Sequence, residues 1–198
     1  MTALPEYMPN PKKFKAPKLL TFADYARLTP PDSGNYELHN GKIIYMPSPI
    51  DLHQEISGAL FARLYFHVFN NKLGKVLPAP MDTIFTPNDT VQPDILFVSK
   101  ERLDIIDRQV KGAPDFIVEI LSEGNTAKEM SYKKHLFESC GVKEYWLINV
   151  KKKTITQYEN IEGEFFPKTV AHTEGVLKSL VIEGFELKVS DIFQFELG

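Results

Sequence analysis

Apolar residues recur along this chain at two periods. Ile56, Leu60 and Leu64 fall at helical spacing. They predict a long helix from about Leu52 to Asn70, with Asp51 and Gln54 spaced as a capping box and Gly74 as a breaker. A short helix over Phe22–Leu28 is expected behind Thr21, with Asp24 at its third position. A third helix is expected from about Thr126 to Cys140, with Gly141 placed to terminate it.

The remaining apolar runs read as strands. Tyr36–His39 and Lys42–Tyr45 flank Asn40-Gly41, whose tolerance of positive φ predicts a tight hairpin. Strands are expected at Val76–Phe85 and Val91–Val98, on either side of Pro87-Asn88-Asp89. Further strands follow at Asp115–Leu121, Val142–Val150, Thr154–Tyr158, Glu164–Val170 and Val176–Val181. Glu101–Ile106 and Ser190–Phe193 read as single helical turns. The sum is an α+β fold with a mixed central sheet, two substantial helices and additional antiparallel strands.

Composition narrows this picture. The chain has 198 residues, of which 43% are hydrophobic, enough for one well-packed core. No Gly/Ser linker divides it, so residues 21–198 read as one domain behind an extended Pro/Lys-rich arm at residues 1–20. A lone Cys140 excludes an internal disulfide framework and suits a reducing compartment. No run is long enough for a membrane span, and the first 18 residues lack the apolar core of a signal peptide, so a cytoplasmic location is the default expectation. A net charge of −3 gives no bulk attraction for a polyanion. Lysines do cluster, at 12–18, 128–134 and 151–153, and these groups read either as local phosphate contacts or as solvated surface.

Two acidic residues stand out against their surroundings. Asp94, in Gln92-Pro93-Asp94-Ile95-Leu96-Phe97-Val98, and Glu119, in Phe116-Ile117-Val118-Glu119-Ile120-Leu121, each interrupt a run that reads as buried strand. A carboxylate is costly to bury unless it is paired or binds a metal. Two on strands able to lie side by side suggest a Mg²⁺ site, with the Ile120 carbonyl as a third oxygen. The competing reading is a pair of buried ion pairs. Asp115 reads instead as the first residue of its strand.

Lys133 falls in the middle of the apolar stripe formed by Met130, Leu136, Phe137 and Cys140, whereas Lys134 turns toward Glu138 and solvent. An ammonium on a core face needs a carboxylate or phosphate partner, unless its stem carries the charge past the edge to water. The acidic pair is the obvious partner. Glu37 either joins that site as a third carboxylate or lies on a wet sheet face. His53, in the first turn of the long helix, either approaches a phosphate or is a satisfied core residue. No Gly-rich phosphate loop, zinc pattern or nucleophile elbow is present.

Five segments, in order, resemble the Uma-two family of bacterial proteins, to which a PD-(D/E)XK restriction-endonuclease-like fold is ascribed. They are Tyr36-Glu37-Leu38-His39-Asn40-Gly41-Lys42-Ile43, Ser48-Pro49 with His53, Val91-Gln92-Pro93-Asp94-Ile95, Gly112 to Ser122, and Gly141 to Leu147. The resemblance implies a metal-dependent endonuclease acting on DNA with Mg²⁺ (Mn²⁺ as a substitute), and a homodimer. It matches Asp94 and Glu119 to the metal-binding acids, Glu37 to an early glutamate and Gln92 to the glutamine before Pro-Asp. The usual nuclease pattern has a lysine two residues after the second acid, where this chain has Leu121. Lys133 matches a lysine that has moved to the following helix. Ser122-Glu123 departs from the Ser-Pro often found there. Two rival classes remain open: a nucleic-acid-binding module on a degenerate nuclease fold, and a small-molecule or protein-interaction domain with a buried ion-pair network.

Overall fold

The computed structural model describes residues 19–29, 36–121 and 126–193. Residues 1–18 of the expected arm, and residues 30–35, 122–125 and 194–198, lie outside the described residues. In chain order the elements are α1 (Phe22–Leu28), β1 (Tyr36–His39), β2 (Lys42–Tyr45), α2 (Asp51–Asn70), β3 (Gly74–Pro78), β4 (Thr83–Thr86), β5 (Asp89–Val91) and β6 (Ile95–Ser99). A 3-10 turn at Lys100–Ile105 leads to β7 (Ile106–Asp107), β8 (Gln109–Lys111), β9 (Phe116–Leu121), α3 (Ala127–Ser139), β10 (Glu144–Asn149), β11 (Thr154–Ile161), β12 (Glu164–His172), β13 (Val176–Lys178) and β14 (Glu186–Lys188).

Local chemistry explains the ends of these elements. Thr21 and Asp24 form a reciprocal capping box on α1. The hairpin between β1 and β2 turns on Asn40 and Gly41, both at positive φ. Thr126 caps α3, and Gly141, at φ 90°, follows its last turn. The expected box at Asp51 and Gln54 does not form. Ile50 is the N-cap of α2 with no side-chain cap, and Asp51 Oδ1 accepts the adjacent Leu52 N–H instead.

Two of the expected strands are each broken in two. Pro80 and Pro93 lack the N–H that a continuous ladder needs. The chain therefore leaves one sheet and enters another at each point, giving β3 then β4, and β5 then β6. Two six-stranded sheets result, ordered β2-β1-β5-β4-β8-β7 and β12-β11-β10-β9-β6-β3. The second is mixed: β9 and β10 are parallel, joined through α3, while β6 and β9 are antiparallel. The run expected at Val176–Val181 is a strand only to Lys178. It pairs with β14, a strand that the pattern did not predict.

The central strands of the second sheet, β6, β9 and β10, are buried on both faces, which is why they read as near-continuous apolar runs. Alternation assigns the faces. Phe116, Val118, Ile120, Ile95, Phe97 and Trp146 face α2 and the C-terminal segment. Ile117, Leu96, Val98 and Tyr145 face α3 and the first sheet, with Leu136 and Phe137. Each fully buried large apolar side chain contributes about 1.5–3 kcal/mol. No described helix is long and apolar enough to cross a membrane.

Candidate functional site

β-sheet register brings the two acids together. In the antiparallel pairing of β6 with β9, Ile95 opposes Val118. Asp94 lies in the bend just before β6, and Glu119 just after Val118, so this register ends with the two acids near each other. Glu119 belongs to the face that carries Ile117, because side chains two apart share a face, and Asp94 reaches it from the end of β6. Asp94 is then fixed from two sides: its Oδ2 accepts the Ile120 N–H at 2.7 Å and contacts His53 Nε2 at 3.2 Å.

α3 packs on that same face and points Lys133 into it. The Lys133 ammonium lies 3.0 Å from Glu37 Oε1 and 3.3 Å from both Glu119 carboxylate oxygens. Glu37 comes from β1 of the other sheet, so this ion-pair group joins the two sheets. Its Oε1 also accepts the Gln92 N–H at 2.8 Å, and its Oε2 contacts His39 Nε2 at 2.6 Å. The Gln92 side-chain amide donates to Asp82. Lys134 lies half-exposed beside Glu138 and over the Tyr158 ring.

All seven residues singled out in the sequence, Glu37, His53, Gln92, Asp94, Glu119, Ile120 and Lys133, line one cleft of about 270 Å³. Gln54 and Ser57 of α2 and the Met46–Pro49 and Ala79–Pro80 segments complete its wall. Asp115 lies elsewhere, buried and paired with Arg102 at 3.0 Å and Lys143 at 2.7 Å. It is structural, as its place at the start of β9 implied. His39 and Asp82 were not singled out. His39 does carry a signal, since it sits two residues from Glu37 on one strand face; Asp82 lies just outside a strand and carries none.

The electrostatics follow from three carboxylates facing one ammonium. Burial pushes the Glu119 carboxyl up; the Lys133 charge opposes this and the Asp94 and Glu37 charges add to it, leaving it at about 8. Burial alone would lower Lys133, but Glu119, Glu37 and Asp94 outweigh it and hold the ammonium above its usual range. Burial would also raise Glu37, yet Lys133, His39 and the Gln92 N–H keep it below its ordinary value. Burial thus raises the proton affinity of Glu119, while Lys133 opposes it.

Among the described residues, no three His, Cys, Asp or Glu side chains are grouped to hold a metal ion by themselves. Two carboxylates, a main-chain carbonyl and waters are the alternative, and Mg²⁺ accepts such a set because it dehydrates reluctantly. The donors of that set are oxygens, with the His53 imidazole beside them on Asp94, and the raised proton affinity of Glu119 marks a local shortage of positive charge. Both features fit a hard divalent cation.

Residues 22–190 match the family model Uma2, described as "Putative restriction endonuclease". The chain belongs to that family. A crystal structure from Anabaena variabilis, described as a "putative nuclease belonging to DUF820", superposes with a TM-score of 0.74 at 20% sequence identity, covering 88% of this chain and 97% of that one. The likeness shows that the two share a fold. No curated protein sequence matches the chain.

Proposed function

We propose that this member of the Uma2 family is a Mg²⁺-dependent endonuclease that hydrolyses DNA phosphodiester bonds at the cleft holding Asp94, Glu119 and Lys133. The observation that carries the reading is the grouping in that cleft, where three carboxyl side chains meet one buried ammonium among the described residues.

Asp94 and Glu119, with the Ile120 carbonyl, would hold the cation. When bound, Mg²⁺ would supply Lewis-acid polarisation of a phosphate and a more acidic water. The protein's own part is positional. The Ile120 N–H fixes one Asp94 oxygen, leaving the other for ligation. Lys133, held between Glu37 and Glu119, supplies a fixed positive charge for an attacking water or for the charge that develops on phosphorus-bound oxygens. Glu37 sets where that ammonium sits, because Gln92 and His39 hold its carboxylate in turn. His53 buttresses Asp94.

The substrate is DNA and the working form a homodimer in this reading. With a net charge of −3, DNA contact must rest on local lysines and fall steeply with salt. The test is cleavage of supercoiled and linear DNA by purified protein, with Mg²⁺, with Mn²⁺ and with chelator. Metal-dependent nicking that Asp94→Asn removes supports the reading. Absence of both cleavage and metal-dependent thermal stabilisation favours a degenerate binding module on the same fold.

A further inference from the structure

α2 is apolar on two opposite sides. Ile56, Leu60, Leu64 and Val68 are buried against the sheet, as a surface helix requires. The opposite side also carries large apolar groups: Tyr65, Phe66 and Phe69 are 43%, 63% and 65% exposed. Their rings pack on one another, Tyr65 stacked on Phe69 at 5.9 Å and edge-on to Phe66 at 6.0 Å. Contiguous exposed aromatic surface of this kind marks an interaction site.

At 100° per residue, Glu55, Gly58, Ala62, Tyr65, Phe66 and Phe69 fall on this outward side. The order along the helix is asymmetric. An acidic end, Asp51 and Glu55, is followed by small residues and then by aromatic ones, and exposed Lys72 lies just beyond the last turn. A side chain added at Gly58 would meet nothing within 4 Å, so that spot is open.

We propose that this face pairs antiparallel with the same face of a second copy of the chain. Turned about a two-fold axis near Ala62, each Phe66 lies over the partner copy's open small-residue stretch, and each acidic end meets the lysine-bearing end of the other helix. The arrangement is self-complementary in shape and in charge, as a two-fold interface must be, and it sets the two helix dipoles head to tail. A parallel pairing would set ring against ring and acid against acid. Because His53 stands near one end of α2, the two clefts would be separated by about 27 Å along the helix axes, from 1.5 Å rise per residue. This gives the homodimer of the proposed function a definite interface, but the pairing itself needs no catalytic activity. One helix face is at the small end of a stable interface, so reversible association is expected.

Sedimentation of the full chain across about 1–100 µM, the range where a small interface dissociates, should show a concentration-dependent dimer. Phe66→Glu and, separately, Gly58→Gln should leave a folded monomer, each shifting dissociation at least about tenfold. Lys72→Glu should weaken the dimer, and adding Asp51→Lys with Glu55→Lys should restore it. A wild type that remains monomeric at the top concentration overturns the proposal. So does a dimer that both Phe66→Glu and Gly58→Gln leave intact. A dimer broken by these variants, in a protein that cuts no DNA, would support this interface while the nuclease reading failed.

Discussion

The Lys133 ammonium lies 3.3 Å from both carboxylate oxygens of Glu119, a residue fourteen positions earlier in the chain, and both side chains are buried. One contact thus ties α3 to the strand that precedes it. It also places the only ammonium among the described residues lining the cleft against a carboxyl whose proton affinity burial raises.

Breaking this contact from its two ends should have unequal effects. Lys133→Met leaves Glu37 and Glu119 without their shared cation, and uncompensated buried charge costs about 3–5 kcal/mol. Burial raises the proton affinity of Glu119, so Glu119→Gln, which keeps size and polarity, should cost less than Lys133→Met. Urea unfolding without metal measures both; an equal or reversed order would show that Glu119 is ionised in the folded protein.

Proton affinity at Glu119 predicts a pH-dependent metal response. The carboxyl is raised in the folded state from 4.5 to about 8. The stability it contributes when protonated is full below 4.5 and is lost as pH rises through about 8. A cation must displace that proton, so stabilisation by Mg²⁺ should grow as pH rises and level off above about 8. Thermal melts with and without Mg²⁺ at several pH values decide this. A shift that does not change with pH would count against Glu119 as a ligand.

Asp94→Asn keeps the size of the side chain but removes a ligating charge. Cleavage should fall about 10²–10³-fold, and the Mg²⁺-induced thermal shift should shrink, while the metal-free melting point moves little. Unchanged cleavage would assign the activity to a contaminant.

Glu144 has the opposite character: it is a buried carboxylate held only by donors. It accepts from Trp146 Nε1, Gln157 Nε2, Ser179 Oγ and the N–H groups of Leu180 and Val181. Glu144→Ala strands these donors, each at about 1–3 kcal/mol when left unsatisfied. Loss of the ordered 176–193 segment should follow, read as early proteolysis there and as a change in Trp146 fluorescence. A protein as resistant as wild type would remove Glu144 from its anchoring role.

Two glycines should respond in opposite directions to alanine. At Gly74, with φ 154°, the new Cβ would lie 2.1 Å from the Val98 carbonyl oxygen, so Gly74→Ala should destabilise by more than about 1 kcal/mol. At Gly58, mid-helix with open space around it, alanine should stabilise by up to about 1 kcal/mol. Chemical denaturation of both at low protein concentration checks the sign.

The sequence by itself determined whatever depends on local geometry. Helical spacing of apolar residues set α2 and the core face of α3, and the Thr21/Asp24 cap marked α1. Asn40-Gly41 set the hairpin, since few other pairs accept two positive φ values. Helical phase put Lys133 on the core face of α3, and the cost of burying charge singled out Asp94 and Glu119. The tertiary structure decided what depends on pairing between distant segments. It split two apparent strands across two sheets at Pro80 and Pro93, where a missing N–H ends one ladder and a second must begin. It fixed the register that ends with Asp94 near Glu119. It brought Glu37 across from the other sheet, and it revealed His39 and Asp82 holding the cleft's outer partners. Side-chain period is written into every strand, whereas the partner of a strand and its offset are set by the whole core, which no local window contains.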